Sequence, residues 1–138
     1  MCIAKKITSL LQDIPQHVEL VAVSKTKSNE DIMEAYNAGQ RVFGENKIQD
    51  MTRKQEELPK DIQWHMIGHV QSNKVKYMAP YVSLIHSADR LKLFKVINKE
   101  AEKNDRIIDV LLQVKIVGFY LSIESLRNLY EQQQLFSF

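Results

Sequence analysis

Five short apolar runs with strand character recur along this chain, each followed by a stretch of helical periodicity: VELVAVS (18–24), RVFGE (41–45), IQWHMIG (62–68), YVSLIHS (81–87) and RIIDVLLQVKI (106–116). Strict alternation of this kind leaves few folds open. Parallel strands need crossover connections, and right-handed crossovers place the helices outside the sheet. The intervening spacing predicts those helices. An opening helix over Ile3 to Ile14 stops at Pro15. The next has Ser28 as its cap, Asp31 at the capping-box position and Gly39 at its end. Asn46 to Leu58 stops at Pro59, Ser72 to Ala79 stops at Pro80, and Asp89 to Lys103 carries Leu91, Phe94, Ile97 and Ala101 along one side.

Two architectures satisfy this order: an open doubly wound sheet, or the first part of a (β/α)8 barrel, which takes about 250 residues when complete. The strand interiors choose between them. Period-two alternation puts Gln63, His65 and Ile67 on one face of the third run, and Asp109, Leu111, Gln113 and Lys115 on one face of the fifth. Polar side chains pointing inward from a central parallel strand must be paired or must line a site, and a barrel lumen supplies both. The expectation is an α/β chain: a partial TIM-type barrel of about five parallel βα units behind an N-terminal helix, with residues 1–138 forming a single, incomplete barrel domain.

With 44% hydrophobic residues in 138, the chain can bury a core of ordinary size. Its 19 basic and 17 acidic residues leave a net charge of +2 spread along the whole length, so charge points to neither nucleic acid nor a membrane surface as partner. Lys74, Lys76, Lys92, Lys95 and Lys99 fall on outer helix faces mixed with acidic residues. A lone cysteine, Cys2, excludes an internal disulfide, and MCIAKKITSLLQDIP lacks the apolar run of a signal peptide. A cytoplasmic protein is expected. Of the four histidines, His65 and His69 are about 13 Å apart on an extended strand, so no metal is expected between them.

VELVAVSKTKSNEDIMEAYNAGQRVFGEN, followed by IQWHMIGHVQSNK and then LIHSADR, resembles the pyridoxal 5'-phosphate homeostasis protein family, also described as alanine-racemase N-terminal-like. The resemblance runs from about Glu19 to about Ile116, with the motifs in the family's order and spacing. It implies a fold-type III barrel whose cofactor, pyridoxal 5'-phosphate, is held as a Schiff base by the lysine of AVSK, here Lys25. It also implies that Asn46 in FGEN and His65 in WHMIGH lie beside the cofactor, where an amide and an imidazole can orient the ring. No catalytic residue is assigned. The resemblance implies a protein that buffers or delivers cofactor without an established turnover.

The placement of Lys25 agrees with that chemistry. An amine attacks an aldehyde only when unprotonated, which calls for desolvation or a nearby cation. Lys25 shares a face with Val21 and Val23 at the carboxyl end of a core strand, and Lys27 follows two residues on. The sequence therefore predicts a Lys25 amine held dry. Other readings of the same residues stay open. A lysine at a strand end is commonly a solvated cap, Asn46 could cap the helix that begins at Lys47, and His65 could be a satisfied core histidine. Ser87 reads as a cap for the helix at Asp89 in preference to a polar group at the barrel mouth. Gly44 and Gly68 read as points of close backbone approach. Gln71, Ser72, Asn73 and Lys74 form a polar turn with no individual chemistry.

After Gln113-Val114 the resemblance ends, and KIVGFYLSIESLRNLYEQQQLFSF takes over, with a helix predicted over Ser122 to Gln134. The family continues with further βα units whose loops hold the phosphate, so a C-terminally truncated member with possible self-association through open sheet edges is expected. Two other functions fit the same residues. A racemase-like enzyme would need an acid/base group opposite Lys25, for which Tyr120 and Tyr130 are the tail's candidates. A non-functional fragment or assembly subunit would need no cofactor.

Overall fold

The computed structural model describes residues 2–114. The predicted helix at Ser122 to Gln134, Tyr120, Tyr130, and the end of the fifth predicted run at Lys115 and Ile116 lie outside them. The described elements are α1 (Ile3–Asp13), β1 (Ala22–Val23), α2 (Asn29–Asn37), β2 (Val42–Glu45), α3 (Ile48–Glu57) and β3 (Gln63–Met66). A 3-10 turn (Ser72–Lys74) then leads into α4 (Val75–Met78), followed by β4 (Val82–Ala88), α5 (Leu91–Lys103) and β5 (Asp109–Leu112).

All five strands run parallel in one sheet, ordered β1-β2-β3-β4-β5. That order decides the architecture. A doubly wound sheet reverses direction at a switch point, whereas a barrel adds each strand beside its predecessor. The chain is therefore α/β with the sheet of a partial barrel, as the alternation predicts.

One core explains why the helices stay on one side. Ile7 of α1, Ile32 and Ala35 of α2, Ile48 and Met51 of α3, Met78 of α4, and Leu93 and Ile97 of α5 all bury against Phe43, Trp64, Met66, Val82 and Ile85 of the sheet. Fully burying one such side chain contributes about 1.5–3 kcal/mol. The Phe43 and Trp64 rings meet at 6.1 Å and 45°, a tilted contact across neighbouring strands. The opposite face is exposed at its edge strands among the described residues: Val23 of β1 is 52% exposed and Leu111 of β5 49%.

Local chemistry sets the element ends. Ser28 caps α2 by accepting a hydrogen bond from the Asp31 backbone N–H at 3.2 Å. Gly39 follows the last turn of that helix at φ 102°, a conformation glycine adopts without strain. β1 is shorter than the predicted run because the chain before it is tied by a side chain instead of a strand ladder. Buried Gln40 donates from Nε2 to the carbonyls of Leu20 and Val42, both at 2.6 Å. No helix among the described residues is long and apolar enough to cross a membrane.

Candidate functional site at the strand ends

Register across the sheet places Val23, Gly44, His65, Leu84 and Asp109 in one row. Because the strands are parallel, their carboxyl ends form a single rim, and Lys25 and Asn46 each stand two residues beyond this row. Lys25 and Asn46 thus follow two adjacent strands at this rim, and His65 lies two residues lower on the third.

Lys25 sits just past β1 in a tight turn closed by a hydrogen bond from Lys27 N–H to the Ser24 carbonyl at 3.0 Å. Lys25 and Thr26 are its central residues. Thr26 takes φ 65°, which the third position of a type II turn requires and a β-branched residue adopts only under strain. The expectation of a dry amine is not met: Lys25 is exposed and makes no hydrogen bond or ion pair among the described residues. The reason is geometric. β1 is an edge strand, and no described element covers its open face.

Asn46 does not cap α3. The position before that helix belongs to Lys47, which makes no side-chain cap bond, and Asn46 itself is exposed. Its backbone is clamped by the end of β3: a methyl added to Gly68 would lie 2.2 Å from the Asn46 carbonyl oxygen and 2.7 Å from its Cα. Only glycine permits this approach of two strand ends. Gly44 is crowded in a milder way, since an added methyl would meet Ile67 and Val21 side-chain carbons at 3.2 Å.

His65 is 3% exposed. Its Nδ1 lies 3.0 Å from Nε2 of His86 on β4, so one ring donates and the other accepts. Its Nε2 faces the Glu19 carboxylate at 3.9 Å. Burial holds the His65 imidazole below its ordinary pKa; His86 adds to this and Glu19 opposes it. Ser87 is not the cap of α5. It is buried and donates to the Gly68 carbonyl, while Arg90 precedes the helix without a side-chain cap bond.

Sequence reasoning missed a cluster directly behind Lys25. Lys54 of α3 and Glu45 of β2 form an ion pair at 2.7 Å, with side-chain exposures of 2% and 0%. Lys54 Nζ also donates to the Ser24 carbonyl at 2.9 Å, and the Ser24 hydroxyl donates to the same Glu45 oxygen at 2.6 Å. A signal was present: Ile48, Met51, Lys54 and Leu58 share one buried helix face, with a lysine standing where the pattern calls for an apolar residue.

No protein-family model matches the chain. Curated relatives do. The pyridoxal phosphate homeostasis protein of Aquifex aeolicus is 46% identical over 101 residues, covering 72% of this chain and 44% of the relative. That of Schizosaccharomyces pombe is 44% identical over 105 residues, covering 75% of this chain and 44% of the relative. Among solved structures, PipY of Synechococcus elongatus with PLP bound aligns with a TM-score of 0.85 at 38% identity, covering 95% of this chain and 63% of PipY. Over the aligned span the chain is similar to the pyridoxal phosphate homeostasis proteins. It spans about half the length of the curated relatives it matches. The same PipY without PLP aligns equally well, at a TM-score of 0.84, so the sheet and helices shared with this family member match both structures alike.

Proposed function

We propose that this chain binds pyridoxal 5'-phosphate and acts in its intracellular homeostasis, in the cytoplasm, with Lys25 as the residue that takes the cofactor covalently and Asn46 and His65 beside it. What supports the reading is the occurrence of three motif residues at or near the carboxyl ends of three adjacent strands, in a chain 38% identical to a protein crystallised with PLP. The residues fit the part of the group they would meet. When bound, pyridoxal phosphate supplies an aldehyde that a primary amine captures with loss of one water. Lys25 offers an amine that takes no hydrogen bond among the described residues, at the carboxyl end of a parallel strand where barrel sites form. Asn46 offers an amide not committed to capping, and His65 offers an imidazole whose pKa burial lowers. Gly44 and Gly68 keep the backbone of this rim narrow.

Incubation of the 138-residue chain with pyridoxal phosphate, reduction with borohydride and peptide mapping test the reading. The expected result is one dominant adduct on Lys25 that disappears in Lys25→Ala while circular dichroism is unchanged. Label spread evenly over all lysines, or absent from Lys25, would overturn it.

A further inference from the structure

The most heavily buried charges of the described residues stand behind the rim and touch the turn that carries Lys25. We propose that Glu45 and Lys54 are positioning residues that fix the Ser24–Lys27 turn and thereby the direction of the Lys25 amine. The inference rests on the function proposed above.

Besides the ion pair itself, the bonds of the cluster converge on Ser24. Ser24 has its carbonyl held by Lys54 Nζ at 2.9 Å and by Lys27 N–H at 3.0 Å, and its hydroxyl held by Glu45 at 2.6 Å. Its own N–H donates to the Gly44 carbonyl at 2.9 Å. Backbone and side chain of Ser24 are therefore both fixed, and the next residue is Lys25. A side chain as long as lysine amplifies any rotation at its Cα, so pinning the preceding peptide group restricts where its amine can go.

Two features argue against a purely packing role. First, buried ion pairs commonly contribute less to stability than apolar groups of similar volume, and here the arrangement leaves Glu45 Oε2 buried with no hydrogen-bond partner among the described residues. A carboxylate kept at that cost is better explained by what its other oxygen does, which is to hold Ser24 and Lys54 together. Second, the turn is strained at Thr26, and a strained turn persists only where its surroundings over-determine it. The cluster supplies those constraints at the first residue of the turn.

The test compares the parent chain with Glu45→Leu/Lys54→Met, which fills the same space with apolar groups and is expected to fold. Two readouts separate positioning from packing. Amide hydrogen exchange without cofactor should quicken by about tenfold at Lys27, whose N–H closes the turn, with the β2 and β3 amides unchanged. The borohydride-trapped adduct on Lys25 should fall by a similar factor of about ten at equal cofactor concentration. Ser24→Ala, which keeps both charges and removes only the hydroxyl link, should move both readouts in the same direction and covers the case in which the double variant does not fold. A folded double variant, or Ser24→Ala, with the parent's exchange and labelling overturns the positioning role and leaves the covalent reading intact. Absence of Lys25 label in the parent overturns both.

Discussion

At His65, a single imidazole couples the rim to pH. It is buried, meets the His86 ring nitrogen at 3.0 Å and has its pKa lowered chiefly by burial. The sign follows from comparing the two states. In the unfolded chain the ring accepts a proton near its ordinary value of 6.5, whereas in the fold it resists, so lowering the pH favours unfolding. Protonation of whichever ring accepts would also set two N–H groups against each other where one donor–acceptor bond now joins the rings. The urea unfolding midpoint is therefore expected to fall as pH drops below about 6.5, and His65→Gln is expected to flatten that part of the profile. An unchanged profile in the variant would assign the acid sensitivity to other groups. The residue scale is also where legibility was most uneven. Lys25, Asn46 and His65 could be assigned to three successive strand ends, because motif order follows the order of the strands. The exposure of Lys25 could not, since it depends on what covers the open face. Lys54 stood out of its helix pattern, but its partners Glu45 and Ser24 come from two other elements and become neighbours only through the fold.

Elements end where their hydrogen bonds find other partners, and the sequence shows some of these partners better than others. The α2 boundaries were readable because Ser28 and Gly39 act on their own helix, within a few residues. β1 was read too long because the carbonyls of Leu20 and Val42 are taken by the side chain of Gln40, which lies beyond α2. Ser87 was misread for the same reason: its acceptor is the Gly68 carbonyl of a neighbouring strand end, not the helix that follows it. The β2 and β3 ends give a sharper test. Since a methyl at Gly68 would overlap Asn46 backbone atoms, which cannot move as a flexible side chain can, Gly68→Ala should destabilise the chain by at least about 1–3 kcal/mol. Chemical denaturation measures this directly, and a variant as stable as the parent would show that the two strand ends part easily.

On the scale of the whole molecule, the five-strand order was legible and its exposed surfaces were less so. Alternation of two periods reports each element's type, and strict βα repetition reports a parallel sheet, but neither reports what lies against the open face. β1 and β5 are the edges among the described residues, with Val23 and Leu111 exposed on that face. Unpaired edges and exposed apolar side chains favour association between chains. Sedimentation is expected to show concentration-dependent dimers or larger species at micromolar concentration, and Val23→Lys/Leu111→Lys is expected to shift the chain towards monomer. A monomer at every concentration would show that the edges are protected. The sheet has a further consequence for how the chain is made. Because each strand lies beside the one synthesised just before it, every pairing joins segments separated by one helix, and none waits for a distant partner. Such a sheet can zip up in step with translation, each newly emerged unit docking on a template already in place.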